Sequence, residues 1–345
     1  MAELLKISII GQGVPIVLIH GWGLNSAVWQ PLSELLKLEA EVITVSLPGF
    51  GDNLDNTVTP YSLANISELI VNSVNQPAIY LGWSLGGLVA TNIALSFPEK
   101  VKGLVSVASS PYFVAEESWP GIEPEVLALF HRQLSQNTKK TIDNFLKIQA
   151  MGSASVRDDI KHIRDLVMQY EMPSQQTLSE SLLLLEQVDL RHQLHEISVP
   201  FLRLYGKLDG LVPKKVIPLI AKLVPKSEEV IFERASHAPF ISDPEVFTAA
   251  LSEKFLEHGI AISRLAVMAW SLHPLIAGKN YIWQKATGEV TTRAPTYEIY
   301  DHPSFQNSPL RHVSNGLGGV RQRLDAENYE LSFPIMEDLR AEGAT

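Results

Sequence analysis

The sequence predicts an α/β protein with a mostly parallel, doubly wound sheet and an inserted helical cap. Short, almost continuously apolar runs alternate with helix-like segments in the first part of the chain and resume near residue 200. Such runs are typical of buried parallel strands that crossover helices connect. Between residues 111 and 188 the strand pattern is replaced by four segments with helical periodicity. A helical block inserted between two parts of one sheet predicts a cap over the carboxyl ends of the strands, where open α/β sheets bind ligands.

The elements follow one another in a regular order. The predicted strands are 16–19, 42–45, 78–81, 103–107, 201–205 and 229–232. The predicted cap helices are 125–134, 141–150, 156–170 and 176–185. We therefore expect residues 1–110 and 189–258 to form the core and residues 111–188 to form the cap. Residues 259–345 are polar, contain several prolines and show few clear periods, so we expect a C-terminal extension of unknown structure that adds nothing to the sheet.

The composition is that of a folded, globular protein. Of 345 residues, 46% are hydrophobic and 19% are charged, which disfavours both disorder and a membrane protein. The absence of cysteine excludes disulfides and a cysteine nucleophile. The net charge of −10 disfavours broad nucleic-acid binding, because phosphates would be repelled. With no signal-peptide pattern and no long apolar run, we expect a cytoplasmic protein without a membrane partner. We also expect a monomer.

Residues 82–86, Gly-Trp-Ser-Leu-Gly, follow the predicted strand 78–81 and open an apolar helix at 87–97. A strand-to-helix turn with glycine on either side of a serine is typical of a nucleophile elbow, in which the turn exposes the serine hydroxyl. The alternative is an ordinary glycine-rich turn. The position of the motif between strand and helix favours Ser84 as a nucleophile and predicts the α/β-hydrolase fold.

A serine hydroxyl needs a base to take its proton and an acid to orient that base. In this fold the acid and then the histidine follow the serine along the chain. Among ten histidines, His237 alone lies just after a late apolar strand, and Asp209 follows the strand 201–205 in a tight turn. Asp189 and Asp243 are weaker candidates, because one ends the cap and the other comes after the histidine. The alternatives are a surface-loop histidine and a turn-forming aspartate.

The tetrahedral intermediate of ester hydrolysis requires two backbone N–H donors for its oxyanion. One donor comes from the residue after the nucleophile, here Leu85, and the other from the loop after an early strand. The loop His20-Gly21-Trp22-Gly23 has that position, so we expect the second donor to be the Trp22 N–H. We also expect the Trp22 indole to line the acyl pocket.

Several motifs resemble one family in particular. They are HGWGLN at 20–25, LPGFG at 47–51, GWSLGGLVA at 82–90, VASSP at 107–111, WPGI at 119–122, FLKIQAMG at 145–152, LRLYG at 202–206 and LDGLVP at 208–213. Together they resemble the pimeloyl-acyl-carrier-protein methyl ester carboxylesterases of biotin synthesis over roughly residues 5–258. The elbow and oxyanion motifs occur in many α/β-hydrolases, whereas residues 119–122 and 145–152 are more particular to these esterases.

The resemblance implies hydrolysis of the methyl ester on a pimeloyl group carried by acyl carrier protein, with methanol as the second product. It implies that no metal and no organic cofactor takes part. By position it assigns substrate contacts to one set of residues. That set is Trp22, Ser84, Leu85, Phe130, Phe145, Leu146, Lys147, Ile148, Gln149 and His237.

Docking of the acidic carrier protein requires cations on the cap. The resemblance assigns this role to Lys140, Arg157 and Lys161, while Asn144 stands where relatives have a fourth basic residue. The alternative is an ordinary solvated helix face. Ser46 is a second departure, since relatives commonly have aspartate there, and we expect it to alter local hydrogen bonds without loss of chemistry.

Two other functions remain open from the sequence. A general short-chain carboxylesterase would have the same catalytic residues, because specificity lies in the shape of the cap. A non-catalytic binding module would have the same fold, but such proteins usually lose one of the three catalytic residues. The presence of Ser84, Asp209 and His237 favours an enzyme.

Overall fold

The structure is a computed structural model that describes residues 4–37, 40–151, 156–242, 244–257, 264–270, 278–284, 287–314 and 333–341. It contains ten strands within these residues. They are β1 (Ile7–Ile10), β2 (Val14–Ile19), β3 (Ala40–Val45), β4 (Ala78–Trp83), β5 (Val101–Val107), β6 (Phe201–Gly206), β7 (Glu228–Phe232), β8 (Arg264–Trp270), β9 (Gly278–Gln284) and β10 (Val290–Arg293).

Thirteen α-helices are described. They are α1 (Gln30–Leu36), α2 (Leu63–Ser73), α3 (Leu85–Ser96), α4 (Pro124–Gln136), α5 (Thr138–Ala150), α6 (Val156–Val167), α7 (Gln175–Gln187), α8 (Ile217–Leu223), α9 (Pro239–Ser242), α10 (Pro244–Glu257), α11 (Pro303–Gln306), α12 (Pro309–Ser314) and α13 (Pro334–Ala341).

The main sheet has seven strands in the order β1-β3-β2-β4-β5-β6-β7. Strands β2, β4, β5, β6 and β7 pair in parallel, each with the next. The chain adds β3 on one side of β2 and then β4 to β7 on the other, which is the doubly wound pattern predicted from the sequence. Loops that follow β2 and β4 therefore leave the same edge of the sheet at the point where the strand order reverses, the usual ligand site of open α/β sheets.

The strands form because their residues are apolar on both faces. Five of the six residues of β2 and all six of β6 are buried, and such continuous burial is expected where helices cover a parallel sheet. Helix α3 packs on β4 and β5, and α2 packs on α3. Nine of the twelve residues of α3 are buried, which explains why its sequence is apolar all round.

All six predicted strands of the main sheet are present. Strand β1 was not predicted, because a run of four residues is too short a pattern to recognise; two of these residues are half-buried and two are exposed. The four helices α4 to α7 lie between β5 and β6 in the chain, in the place of the predicted cap. Helix α6 ends at Val167, earlier than its predicted end.

By its internal contacts the chain divides into two compact units, one made of residues 1–9, 14–30 and 42–247 and the other of residues 10–13, 31–41 and 248–345. For the C-terminal extension, whose structure the sequence left open, strands are described within the second unit. Strands β8, β9 and β10 form an antiparallel sheet, with seven residue pairs between β8 and β9. Strand β8 has the sequence RLAVMAW, which is apolar after its first residue. It was not predicted, although it has the continuously apolar pattern that predicted the strands of the main sheet. Among the described residues, no helix has both the length and the apolar character needed to cross a membrane.

Candidate active site

The turn between β4 and α3 has the geometry of a nucleophile elbow. Ser84 stands between the two elements with φ +56° and ψ −118°, a conformation that costs a non-glycine residue about 1–3 kcal/mol. The flanking glycines allow backbones to approach closely. A Cβ on Gly82 would lie 2.0 Å from the Gly86 carbonyl oxygen, and one on Gly86 would lie 2.3 Å from the Ile19 carbonyl oxygen. No larger residue fits at either position.

The Ser84 side chain lies within hydrogen-bond distance of a histidine. Ser84 Oγ is 2.9 Å from His237 Nε2, and His237 Nδ1 is 2.8 Å from Asp209 Oδ2. All three residues are buried, with relative exposures of 1%, 0% and 6%. The structure therefore brings together the three residues that the sequence predicted as nucleophile, base and acid. A hydrogen-bonded series of this kind can take the proton of a serine hydroxyl and stabilise the resulting imidazolium.

The Asp209 carboxylate is oriented by its own turn. Its Oδ1 accepts hydrogen bonds from Leu211 N at 2.8 Å and from Val212 N at 3.0 Å. Its Oδ2 is thereby left for His237. Because the carboxylate has a separate partner for each oxygen, it holds the His237 Nδ1–H in one orientation. The competing Asp189 instead binds Arg191, and Asp243 lies outside the described residues.

Two further contacts hold His237, and sequence reasoning predicted neither. Trp83 Nε1 donates to the His237 carbonyl oxygen at 2.8 Å, and the two rings lie 5.8 Å apart between centroids. The His237 N–H donates to the Gln149 carbonyl oxygen at 3.2 Å. The histidine is thus fixed from the elbow on one side and from cap helix α5 on the other. These contacts span 154 and 88 residues of chain, so no local pattern signals them.

The predicted oxyanion residues flank the serine. Leu85 begins α3, so its N–H belongs to the first helical turn, whose N–H groups have no partner within the helix. Trp22 follows β2, the strand that pairs with β4. A Cβ on the neighbouring Gly21 would lie 3.3 Å from Ser84 Cβ, which brings the backbone of this loop against the serine. Both residues lie at the same edge of the sheet as Ser84.

A buried histidine supports the Trp22 loop. His20 Nδ1 donates to the Gly21 carbonyl oxygen at 2.8 Å, and His20 Nε2 accepts from Leu47 N at 2.9 Å. Burial lowers the pKa of His20 to about 4, although the hydrogen bond to Gly21 opposes this shift. The ring is therefore neutral, and its two hydrogen bonds determine which nitrogen carries the proton.

Aromatic rings gather around Trp22, in the loop that follows β2. The Trp22 ring centroid lies 4.8 Å from that of Phe145 and 6.4 Å from that of Phe130, and the two phenylalanine rings lie 5.5 Å apart. Trp22 Nε1 donates to the Leu178 carbonyl oxygen at 3.0 Å, which ties the indole to α7. Leu146 is fully buried. These side chains form an apolar region between the core and cap helices α4, α5 and α7.

Within the predicted run 145–149, the side chains differ in environment. Ile148 is half-buried, whereas Lys147 is exposed and its Nζ donates to Asn144 Oδ1 at 3.5 Å, so the structure does not bring Lys147 into the aromatic region. Gln149 is 1% exposed, and neither atom of its side-chain amide has a hydrogen-bond partner in the described structure. An unpaired buried amide is costly, so a polar group of a bound molecule would stabilise it.

The predicted docking cations lie on α5 and α6. Lys140, Arg157 and Lys161 are all exposed. Arg164, the next basic residue on α6, forms an ion pair with Asp143 of α5 at 2.8 Å.

Ser46 Oγ accepts from Ser26 N at 3.1 Å and donates to Ser26 Oγ at 3.0 Å.

The strained serine turn, the series of hydrogen bonds from Ser84 to Asp209 and the doubly wound sheet together define an α/β hydrolase. The chain belongs to the alpha/beta hydrolase fold family, whose model matches residues 14–244. No group of three or more histidine, aspartate or glutamate residues suited to a metal ion occurs in the described part of the chain.

Solved structures share this fold. An esterase from Exiguobacterium antarcticum is 23% identical, with a TM-score of 0.65 over 72% of this chain and 94% of the other. A bromoperoxidase from Bacillus anthracis is 20% identical, with a TM-score of 0.64 over 73% and 94%. An enol-lactonase from Burkholderia xenovorans is 18% identical, with a TM-score of 0.62 over 73% and 96%. At these identities the likeness establishes the fold alone.

Proposed function

We propose that the protein is a serine carboxylesterase that hydrolyses the methyl ester of a pimeloyl group attached to acyl carrier protein, in biotin synthesis. The observation that carries the esterase activity is the pair of distances from His237, 2.9 Å to Ser84 Oγ and 2.8 Å to Asp209 Oδ2. A binding module without turnover has no need of a buried, fully hydrogen-bonded triad. The motifs quoted above support the particular substrate.

The proposed reaction has two steps. Ser84 Oγ attacks the ester carbonyl carbon while His237 Nε2 takes its proton, and the N–H groups of Trp22 and Leu85 stabilise the oxyanion. The C–O bond to methanol then breaks, and the proton from His237 passes to the departing oxygen. Water attacks the resulting acyl-serine in the same way, so one water is consumed and one free carboxylic acid is released. The N–H groups at the start of α3 and in the Trp22 loop supply the positive electrostatic potential that both steps need.

The aromatic region supports an acyl substrate with an apolar chain. Trp22, Phe130 and Phe145 offer an apolar wall for methylene groups, each worth about 0.8 kcal/mol when buried. Among the buried side-chain amides of the described structure, Gln149 alone has both polar atoms unpaired. We assign to Gln149 a hydrogen bond to a polar atom of the ester or of the acyl chain.

Charge on the cap supports an acidic carrier. The whole chain carries a net charge of −10, yet α5 contains three lysines and one aspartate. Two of these lysines, Lys140 and Lys147, lie at i and i+7 with Asn144 between them, so they share one helix face. The exposed Lys147 thus provides a cation one turn from the position where Asn144 lacks one. Such charges mainly raise the rate of association. Their attraction for the carrier protein weakens as the salt concentration rises.

A comparison of two methyl esters tests the substrate. The first is pimeloyl-acyl-carrier-protein methyl ester, and the second is monomethyl pimelate, which has the same reacting group without the carrier. We expect kcat/KM to be at least roughly tenfold higher for the carrier-bound ester at low salt. Equal values for both esters would overturn the carrier-specific function and leave a general short-chain carboxylesterase.

Charge reversal tests the docking face. The double variant Lys140→Glu, Lys161→Glu should lower kcat/KM for the carrier-bound ester and leave monomethyl pimelate unaffected. The matched control is Lys222→Glu, Lys226→Glu, which changes the net charge equally at exposed positions outside the cap. An equal loss in the control would show that net charge, and no particular face of the cap, governs association.

A further inference from the structure

A serine of the loop after β5 contacts the backbone of the nucleophile. Ser109 is buried, and its Oγ donates to the Ser84 carbonyl oxygen at 2.8 Å. The same carbonyl oxygen accepts the Gly87 N–H at 2.9 Å, and the Ser84 N–H donates to the Val107 carbonyl oxygen at 2.9 Å. Ser109 is thus the one side chain, within the described structure, that hydrogen-bonds the strained backbone of residue 84.

The packing around Ser109 allows it little freedom. A Cβ on Gly87, in the first turn of α3, would lie 2.4 Å from both Ser109 Cβ and Ser109 Oγ. Ala108, the residue before Ser109, has φ +46°, so the chain turns sharply on leaving β5. Strained backbone at a functional site persists only where its surroundings hold it. The turn at Ala108 places the Ser109 hydroxyl on the carbonyl oxygen of the strained Ser84.

The loop that carries Ser109 also starts the cap. Its Pro111 carbonyl oxygen accepts the N–H of Leu190, which follows the last cap helix, at 2.9 Å. The guanidinium of Arg191 lies 4.2 Å from the ring centre of Tyr112 in the same loop. Both chain connections of the cap therefore meet in this loop, and Ser109 of the same loop holds Ser84 by a hydrogen bond.

We propose that Ser109 is a positioning residue, which holds the Ser84 carbonyl so that the Ser84 hydroxyl points at His237 and which links the base of the cap to the nucleophile. The inference rests on the proposed role of Ser84 as nucleophile, but it is independent of the natural substrate. The Ser109 hydroxyl therefore affects the rate of the chemical step, since Ser109 Oγ hydrogen-bonds the Ser84 main chain and contacts Gly87 of α3.

The test compares Ser109→Ala with Ser110→Ala. The two variants lose the same hydroxyl from adjacent residues, but Ser110 Oγ donates to the Tyr112 carbonyl oxygen at 2.6 Å, whereas Ser109 Oγ donates to Ser84. Active sites are counted with a fluorophosphonate that reacts with the nucleophilic serine, and p-nitrophenyl acetate hydrolysis is then measured per counted site. This normalisation removes any effect of a smaller folded fraction.

For Ser109→Ala we expect kcat per counted site to fall about tenfold with KM unchanged, in keeping with the loss of one hydrogen bond. Ser110→Ala should retain the wild-type kcat per site. A Ser109→Ala value within twofold of wild type, or an equal loss in Ser110→Ala, would overturn the proposal. Failure to cleave the carrier-bound ester would overturn only the proposed substrate, whereas a wild-type Ser84 that the fluorophosphonate does not label would overturn both proposals.

Discussion

The carbonyl oxygen of Gln149, near the end of cap helix α5, accepts a hydrogen bond from the N–H of His237 at 3.2 Å. The cap thus contacts the loop of the catalytic base directly, through backbone atoms. The side chain of the same glutamine is buried and unpaired. One residue therefore supports the base with its main chain and offers the substrate an unsatisfied amide.

Replacing Gln149 with leucine should separate stability from activity. The change removes a buried, unpaired amide at nearly constant volume, so we expect the free energy of unfolding to rise by about 1 kcal/mol. The lost hydrogen bond to substrate should lower kcat/KM about tenfold. Urea unfolding and ester hydrolysis measure the two effects. Gln136→Leu, at an exposed position on α4, is the control, and a Gln149→Leu protein with lower stability and full activity would contradict the assignment.

Asp209→Asn should inactivate the enzyme because it moves the proton of His237 from Nδ1 to Nε2. The N–H groups of Leu211 and Val212 both point at Oδ1, so the asparagine oxygen takes that place and its NH₂ faces His237 Nδ1. The histidine must then carry its proton on Nε2, where it cannot accept one from Ser84. We expect kcat to fall by roughly 10³–10⁴ with the melting temperature little changed. A loss of less than tenfold would show that Asp209 is not the orienting acid.

The protein should lose stability in acid through His20. Burial lowers the pKa of this ring from 6.5 to about 4, and protonation would place a second donor against the Leu47 N–H. The unfolded chain therefore binds the proton first as the pH falls. The stabilising contribution is complete above pH 6.5 and is lost between pH 6.5 and pH 4, to a total of about 3 kcal/mol.

Urea unfolding of the wild type and of His20→Gln at several pH values measures this contribution. All other titrating groups are shared by the two proteins, so their difference isolates His20. The free energy of unfolding should depend less steeply on pH in the variant across this window. Parallel curves would mean that His20 titrates alike in the folded and unfolded chain.

Arg191 should be poorly replaced by lysine. Its guanidinium binds both carboxylate oxygens of Asp189, forms an ion pair with Glu116 at 2.9 Å and lies over Tyr112. An ammonium group cannot form this planar, bidentate arrangement. We expect Arg191→Lys to lower the free energy of unfolding by about 1–2 kcal/mol. Arg132→Lys, at an exposed position on α4, should change it by less than about 0.5 kcal/mol, and equal effects would refute the distinction.

The triad could be predicted because its signals are local. Gly82, Ser84 and Gly86 stand between a strand and a helix that each have a clear pattern of their own. Asp209 and His237 follow β6 and β7, and parallel strands bring the residues after their carboxyl ends to one edge of the sheet. Strand order and motif position were sufficient, without knowledge of any side-chain packing.

The supporting contacts could not be predicted in this way. Ser109 and Trp83 act through hydrogen bonds to main-chain atoms 25 and 154 residues away, and Gln149 through its own carbonyl group. Such pairings depend on how loops pack, which periodicity does not encode. The exposed position of Lys147 could have been predicted, because helical spacing alone separates this residue from Phe145 and Gln149, which share the buried face of α5.

The proposed reaction is tested by the mass of pimeloyl-acyl-carrier-protein methyl ester after brief incubation with the wild type and with Ser84→Ala. We expect the wild type to remove the methyl group, seen as the loss of one CH₂ from the carrier-bound chain, and the variant to leave the ester intact. Equal demethylation by Ser84→Ala would contradict Ser84 as the nucleophile. An ester left intact by a wild type that still cleaves p-nitrophenyl acetate would contradict the carrier-bound substrate.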